Sequence, residues 1–129
     1  MAHPNEELLR SFYGAFARRD IDAVRGLLTD DAVFHQPGRN PTSGDYQGVN
    51  GVLELVGKLQ QLTGGTFRAE AHDLLGSDDH GVALLHVTAE RDGRHLDVTV
   101  VHVIHVRGGK VAEVWVHPRD TYTVDEFWR

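Results

Sequence analysis

Apolar residues recur with a period near 3.6 over the first half of the chain and near 2 over the second. Leu8, Leu9, Phe12, Tyr13 and Phe16 give a helix from about residue 5 to 18 one apolar face. Asn5 followed by Glu6 and Glu7 supplies its start, a capping side chain and then carboxylates at the positive end of the helix dipole. Asp20 opens a second, short helix with Ile21, Val24, Leu27 and Leu28. It should stop near Thr29-Asp30-Asp31, whose side chains compete for backbone hydrogen bonds. Residues 32 to 36 read as a short strand halted by Pro37-Gly38, and residues 37 to 48 as an irregular loop. Val49, Val52, Leu53, Val56, Leu59 and Leu62 form the stripe of a third helix that ends at Gly64-Gly65.

Beyond residue 65 the pattern alternates. Strands are expected over residues 66 to 75, 81 to 91, 95 to 107 and 111 to 117. Asp92-Gly93 is a two-residue hairpin signal, because its glycine accepts the positive φ of a primed turn. Thr123 to Glu126 has capping-box spacing and predicts a last helical turn. Three helices with an embedded short strand, then four meandering antiparallel strands, make an α+β fold with the helices on one face of a curved sheet.

The chain has 129 residues, which suits one domain spanning residues 1–129, and 40% apolar residues are enough for a single core. Thirteen basic against nineteen acidic residues give a net charge of −6, so nucleic acid and anionic membranes are not expected partners. The absence of cysteine excludes disulfides, thiolate metal sites and cysteine nucleophiles. No membrane-length apolar run or signal segment is evident, so a soluble cytoplasmic protein is the expectation.

Chemistry is sought where polar side chains interrupt apolar faces. On the long strand, His102 shares a face with Leu96, Val98, Val100, Ile104 and Val106. It is either a satisfied core histidine or a placed acid/base. Glu113, Trp115 and His117 share one face of the last strand and Val114 and Val116 the other, and the pattern does not say which is inside. His35 and Gln36 are neighbours on the short strand, so one should point to a cavity and the other away. Tyr46 is either a loop anchor or a substrate contact. Nine histidines raise the question of a metal, but His102 and His105 lie on opposite strand faces. There is no His-x-His pair and no helical pair four apart, so neither metal nor cofactor is expected.

Three segments carry a resemblance. Arg19-Asp20-Ile21-Asp22-Ala23-Val24 with Thr29 to His35, then Ser43-Gly44-Asp45-Tyr46-Gln47-Gly48, then Gly109 to Trp115 with Asp120 beyond, are similar in order and spacing to the nuclear transport factor 2 superfamily. Within it they resemble the SnoaL-like polyketide cyclases and the ketosteroid isomerase relatives. The resemblance implies a cone, its sheet wrapped around the helices to leave an apolar pocket. It also implies homodimers packed through the outer sheet faces and a hydrophobic small-molecule ligand. Asp120 corresponds to the acid/base aspartate proposed for SnoaL-like cyclases, and burial in an apolar cone would raise its pKa. His102 falls where the isomerases carry an oxyanion-donating carboxylic acid. Their proton-abstracting aspartate falls on Gln36 and their catalytic tyrosine on Phe12, and neither replacement can do that chemistry.

The expected function is that of a cofactor-free SnoaL-like enzyme, an isomerase, cyclase or hydratase acting on an apolar carbonyl compound. Asp120 or His117 would be the base, His102 and Tyr46 donors to the carbonyl oxygen, and His35 an assistant. Gln36, Phe12, Phe16 and Trp115 complete the binding candidates. The alternatives are a ligand-binding module without chemistry, or a partner-binding module that uses the outer sheet face.

Overall fold

The computed structural model describes residues 2–129. Helix α1, Pro4–Ala17, begins with proline at a position where no amide hydrogen is missed, and His3 caps it by accepting from the Asn5 N–H at 3.0 Å. Asn5 is therefore not the cap. Its amide nitrogen donates instead to the carbonyls of Ser77 and Asp78, at 2.7 and 2.8 Å, and ties the helix to a distant turn. Helix α2, Ile21–Gly26, is capped by Asp20 as its sequence predicts. It stops before Leu27, because Thr29, Asp30 and Asp31 already belong to strand β1, Leu28–Gln36.

The expected loop at 37 to 48 contains a short strand, β2, Gly44–Gln47, which pairs antiparallel with β1. Four residues show no useful period, so the pattern hid it. Helix α3, Gly48–Leu62, follows, then strands β3, Arg68–Gly76, β4, His80–Arg91, β5, Arg94–Arg107, and β6, Lys110–Pro118. Helix α4, Thr121–Trp128, starts two residues before the capping-box reading because Asp120 is the residue that caps it.

The six strands lie in the order β2-β1-β6-β5-β4-β3. The expected meander of β3 to β6 is present, but β1 joins β6 in parallel, so the sheet is mixed. The curved, unclosed sheet holds the helices on its inner face, where Leu9, Phe12, Val24, Val52, Ile104 and Val114 are fully buried. The start of α1 lies so close to the end of β3 that a Cβ at Gly76 would stand 2.5 Å from the Glu6 nitrogen. That close approach leaves room for glycine alone where α1 crosses the end of β3.

Candidate functional site

The space between helices and sheet is a cavity of about 470 Å³. Leu96, Val98, Val100 and His102 of β5 line one wall, Tyr13 and Phe16 of α1 and Leu53, Val56 and Leu59 of α3 another. Val124 and Trp128 of α4 also line it, so the last helix contributes to the wall.

Its polar head is a pair of side chains brought together from α1 and β5. The Tyr13 hydroxyl lies 2.8 Å from His102 Nδ1. Phe34 packs edge-on against the same imidazole, with ring centroids 6.2 Å apart and planes at 85°. Burial pushes the His102 imidazole down to about 3, with the nearby His117 adding to the effect, so it is neutral at physiological pH. Burial also pushes the Tyr13 phenol far above its ordinary value, so it keeps its proton. A phenol donates far better than it accepts, and Tyr13 has no other partner among the described residues. Tyr13 therefore donates to Nδ1, which places the imidazole proton on Nε2. His102 is half-buried and is one of the residues that line the cavity. The Nε2–H enters no hydrogen bond among the described residues, and the ring belongs to a mostly apolar cavity wall. Gln36, at the end of β1, lines the same cavity.

This cone with an internal cavity has known counterparts. A SnoaL-like domain matches residues 9–114. The chain belongs to the SnoaL-like family. It is 27% identical over 95% of its length to 94% of an uncharacterized protein of Mycobacterium tuberculosis. It superposes on Bal32a, from a soil-derived mobile gene cassette, with a TM-score of 0.94 and 36% identity, covering 99% of this chain and 98% of that one. It shares its fold with IdmH, a candidate polyketide cyclase of Streptomyces antibioticus, at a TM-score of 0.74 and 20% identity, covering 95% and 96% of the two chains.

Against the SnoaL-like expectation, the other candidate residues scatter. His102, Gln36 and Phe16 line the cavity; Asp120, His117, His35, Tyr46, Trp115 and Phe12 do not. Asp120 is exposed at the start of α4 and accepts from the backbone amides of Tyr122 and Thr123 and from the Thr123 hydroxyl. The Thr123 side chain and backbone bonds hold its carboxyl below the ordinary range, opposite to the rise an apolar site would cause. Tyr46 is buried as a loop anchor, donating to the Thr42 carbonyl at 2.9 Å and accepting from Lys58 at 3.0 Å. Phe12 is sealed in the core because Tyr13, one step or about 100° around α1, takes the inward position.

Trp115 and His117 occupy the outer face of β6, since Val114 and Val116 are the buried set. His35 lies on that outer face too, stacked on Trp115 with ring centroids 5.2 Å apart. Its Nδ1 meets Asp45 at 2.8 Å and its Nε2 meets Glu113 at 2.5 Å. Partial burial works to lower its pKa, but the bonds to Glu113 and Asp45 prevail and the imidazole is held above its ordinary value. Among the described residues no group of three or more His, Asp or Glu is arranged to hold a metal ion, and no helix is long and apolar enough to cross a membrane. Sequence reading missed Tyr13 and Trp128 as cavity residues. The only signal for Tyr13 was a hydroxyl within an otherwise apolar stripe.

Proposed function

We propose that the cavity takes an apolar small molecule with a carbonyl oxygen, and that His102 and Tyr13 polarise that oxygen during an isomerisation or aldol-type cyclisation without a cofactor. The observation that carries this reading is the His102 Nε2–H left free by the Tyr13 bond, in a lining otherwise mostly of aliphatic and aromatic side chains. Negative charge growing on the carbonyl oxygen would be met by a donor already in place, in surroundings that screen it weakly. Tyr13 polarises the imidazole from behind.

The base is the point where this reading departs from the expected one. Glu70 is the only carboxylate among the described lining residues, and its pairing with the exposed His86 of β4 puts its side chain on the outer face of the sheet. The pocket thus supplies the acid half of acid/base catalysis, and the carbon-bound proton goes to water. That suits a 1,3-dicarbonyl compound, whose intervening C–H is acidic enough to need little help. The test is exchange of that hydrogen for deuterium from D2O, followed by proton NMR on a polycyclic 1,3-diketone. Acceleration by the protein, lost in His102→Ala, is the expected result. Binding of the diketone with exchange at the uncatalysed rate would show the competing case, a ligand-binding module.

Val101, Val103 and Trp115 leave the outer sheet face half-covered and partly apolar, which supports pairing of two chains through it. Sedimentation of the protein alone tests that: Trp115→Glu should shift a dimer towards monomer.

A further inference from the structure

The strand registers fix what stands at the His102 end of the cavity. Along β5 the lining runs from Leu96 through Val98 and Val100 to His102 and stops there. The next inward residue, Ile104, is fully buried and takes no part in it. On β6 the lining likewise includes Val116 but not the fully buried Val114. Val116 lies opposite His102. On the other side of β6, Trp115 lies opposite His35, so the next residue of β1, Gln36, stands beside Val116. Gln36, Val116 and His102 therefore form one row across three strands on the inner face, and all three line the cavity.

Gln36 is half-buried, and its side-chain amide enters no hydrogen bond among the described residues. The buried side-chain atoms left without a partner are Thr29 Oγ1 and Gln60 Oε1. The Gln36 amide is not one of them, so it keeps accessible surface. The other amide of the lining, Gln60, is already committed, donating to the Phe67 carbonyl at 3.0 Å. Two strand spacings put the Cα atoms of Gln36 and His102 about 10 Å apart, with a single valine between them. Two side chains of this length and one small ligand head span such a gap.

Resting on the proposed carbonyl-binding reading, we infer that Gln36 is the specificity residue of this site: it takes the second oxygen of a 1,3-dicarbonyl head whose first oxygen is held by His102, while the apolar body lies along Val100, Val98 and Leu96. The two side chains differ in what they can bond. With Tyr13 on Nδ1, His102 can only donate, so the oxygen it meets is an acceptor. A primary amide donates through Nε2 and accepts through Oε1. That pair of partners suits a 1,3-dicarbonyl in each of its forms. The diketone and the enolate present two acceptors, and the enol presents one acceptor and one hydroxyl donor. Being neutral, the amide does not oppose the charge of an enolate, as a carboxylate in its place would in surroundings of low polarity. A ligand with one oxygen leaves the Gln36 amide unused.

A matched pair of ketones tests this, 2-acetyl-1-tetralone and 2-ethyl-1-tetralone, which share a carbon skeleton and differ by one oxygen. In titration calorimetry the diketone should bind about tenfold more tightly than the monoketone. Gln36→Leu should bring the diketone down to the affinity of the monoketone. Gln36→Met, which keeps the length of the side chain without its amide, should do the same. His102→Ala should weaken both probes alike. Equal affinities in the wild type, or a preference that survives in Gln36→Leu and Gln36→Met, would overturn the role of Gln36 and leave the carbonyl reading standing. Failure of both probes to bind the wild type would overturn the two together.

Discussion

Tyr13 and His102 are 89 positions apart in the chain, on α1 and β5, and meet at 2.8 Å with the phenol behind the imidazole. Because the phenol is the donor, the bond selects the tautomer of the ring and so decides what the cavity offers a ligand. Tyr13→Phe removes that control and leaves Nδ1 without its partner in a buried site. We expect a stability loss of about 1–3 kcal/mol in urea unfolding. The hydrogen-exchange rate on a bound diketone should fall by about tenfold or more.

His102 also makes the fold sensitive to acid. Its folded pKa, about 3, lies below the ordinary imidazole value of 6.5. Between those values the unfolded chain binds a proton that the folded chain refuses, so stability rises with pH across this window and is lost as pH falls through it. The contribution is about 1.4 kcal/mol per pH unit within the window. Urea midpoints at pH 7, 5.5 and 4.5 should fall steeply for the wild type and less for His102→Gln. Parallel slopes in the two proteins would show that this imidazole is not held neutral.

Asp120 separates a cap from a catalyst. Asparagine caps a helix about as well as aspartate, whereas alanine does not. Asp120→Asn should therefore keep both the melting temperature and the exchange activity. Asp120→Ala should lower the melting temperature by a few degrees and leave the exchange rate per folded molecule unchanged. Loss of activity in Asp120→Asn at full stability would return Asp120 to the reaction.

His35 works in the opposite pH direction. Held between Glu113 and Asp45 with its folded pKa raised, it adds stability that is fully present below pH 6.5 and is lost as pH rises through the folded value. His35→Gln should cost up to about 1 kcal/mol at pH 5.5, and clearly less at pH 9. Thermal melts at the two pH values check it.

Periodicity made most of the fold legible, because α1, α3 and β3 to β6 are long enough to repeat their pattern several times. What it could not supply were relationships between distant segments. The parallel seam of β1 against β6 has no local signature, nor does the four-residue β2. The candidate site was harder still. His102 was readable as an intrusion in the apolar face of a strand, and Phe16 and Gln36 also point to the cavity. Phe12 and Tyr13 belong to one apolar stripe, and only the packing of α1 against the sheet shows that Tyr13 is the one that reaches the cavity. Trp115 and His117 were ambiguous because the outer face of the sheet also carries valines. Asp120 has the chemistry of a base and that of a helix cap, and the amides of Tyr122 and Thr123 use it as the latter.

The parallel seam between β1 and β6 sets an order of assembly. β1 can join the sheet only after β6 exists to receive it, and β6 is the last strand in the chain. The β3–β6 meander, built from neighbouring hairpins, can form early. The β1–β2 flap must wait, and the loop-closure entropy of a seam between residues near 33 and 113 slows that step. Until it docks, the edge of β6 is open to pairing with another chain, and strand exchange there is the misfolding route this topology invites.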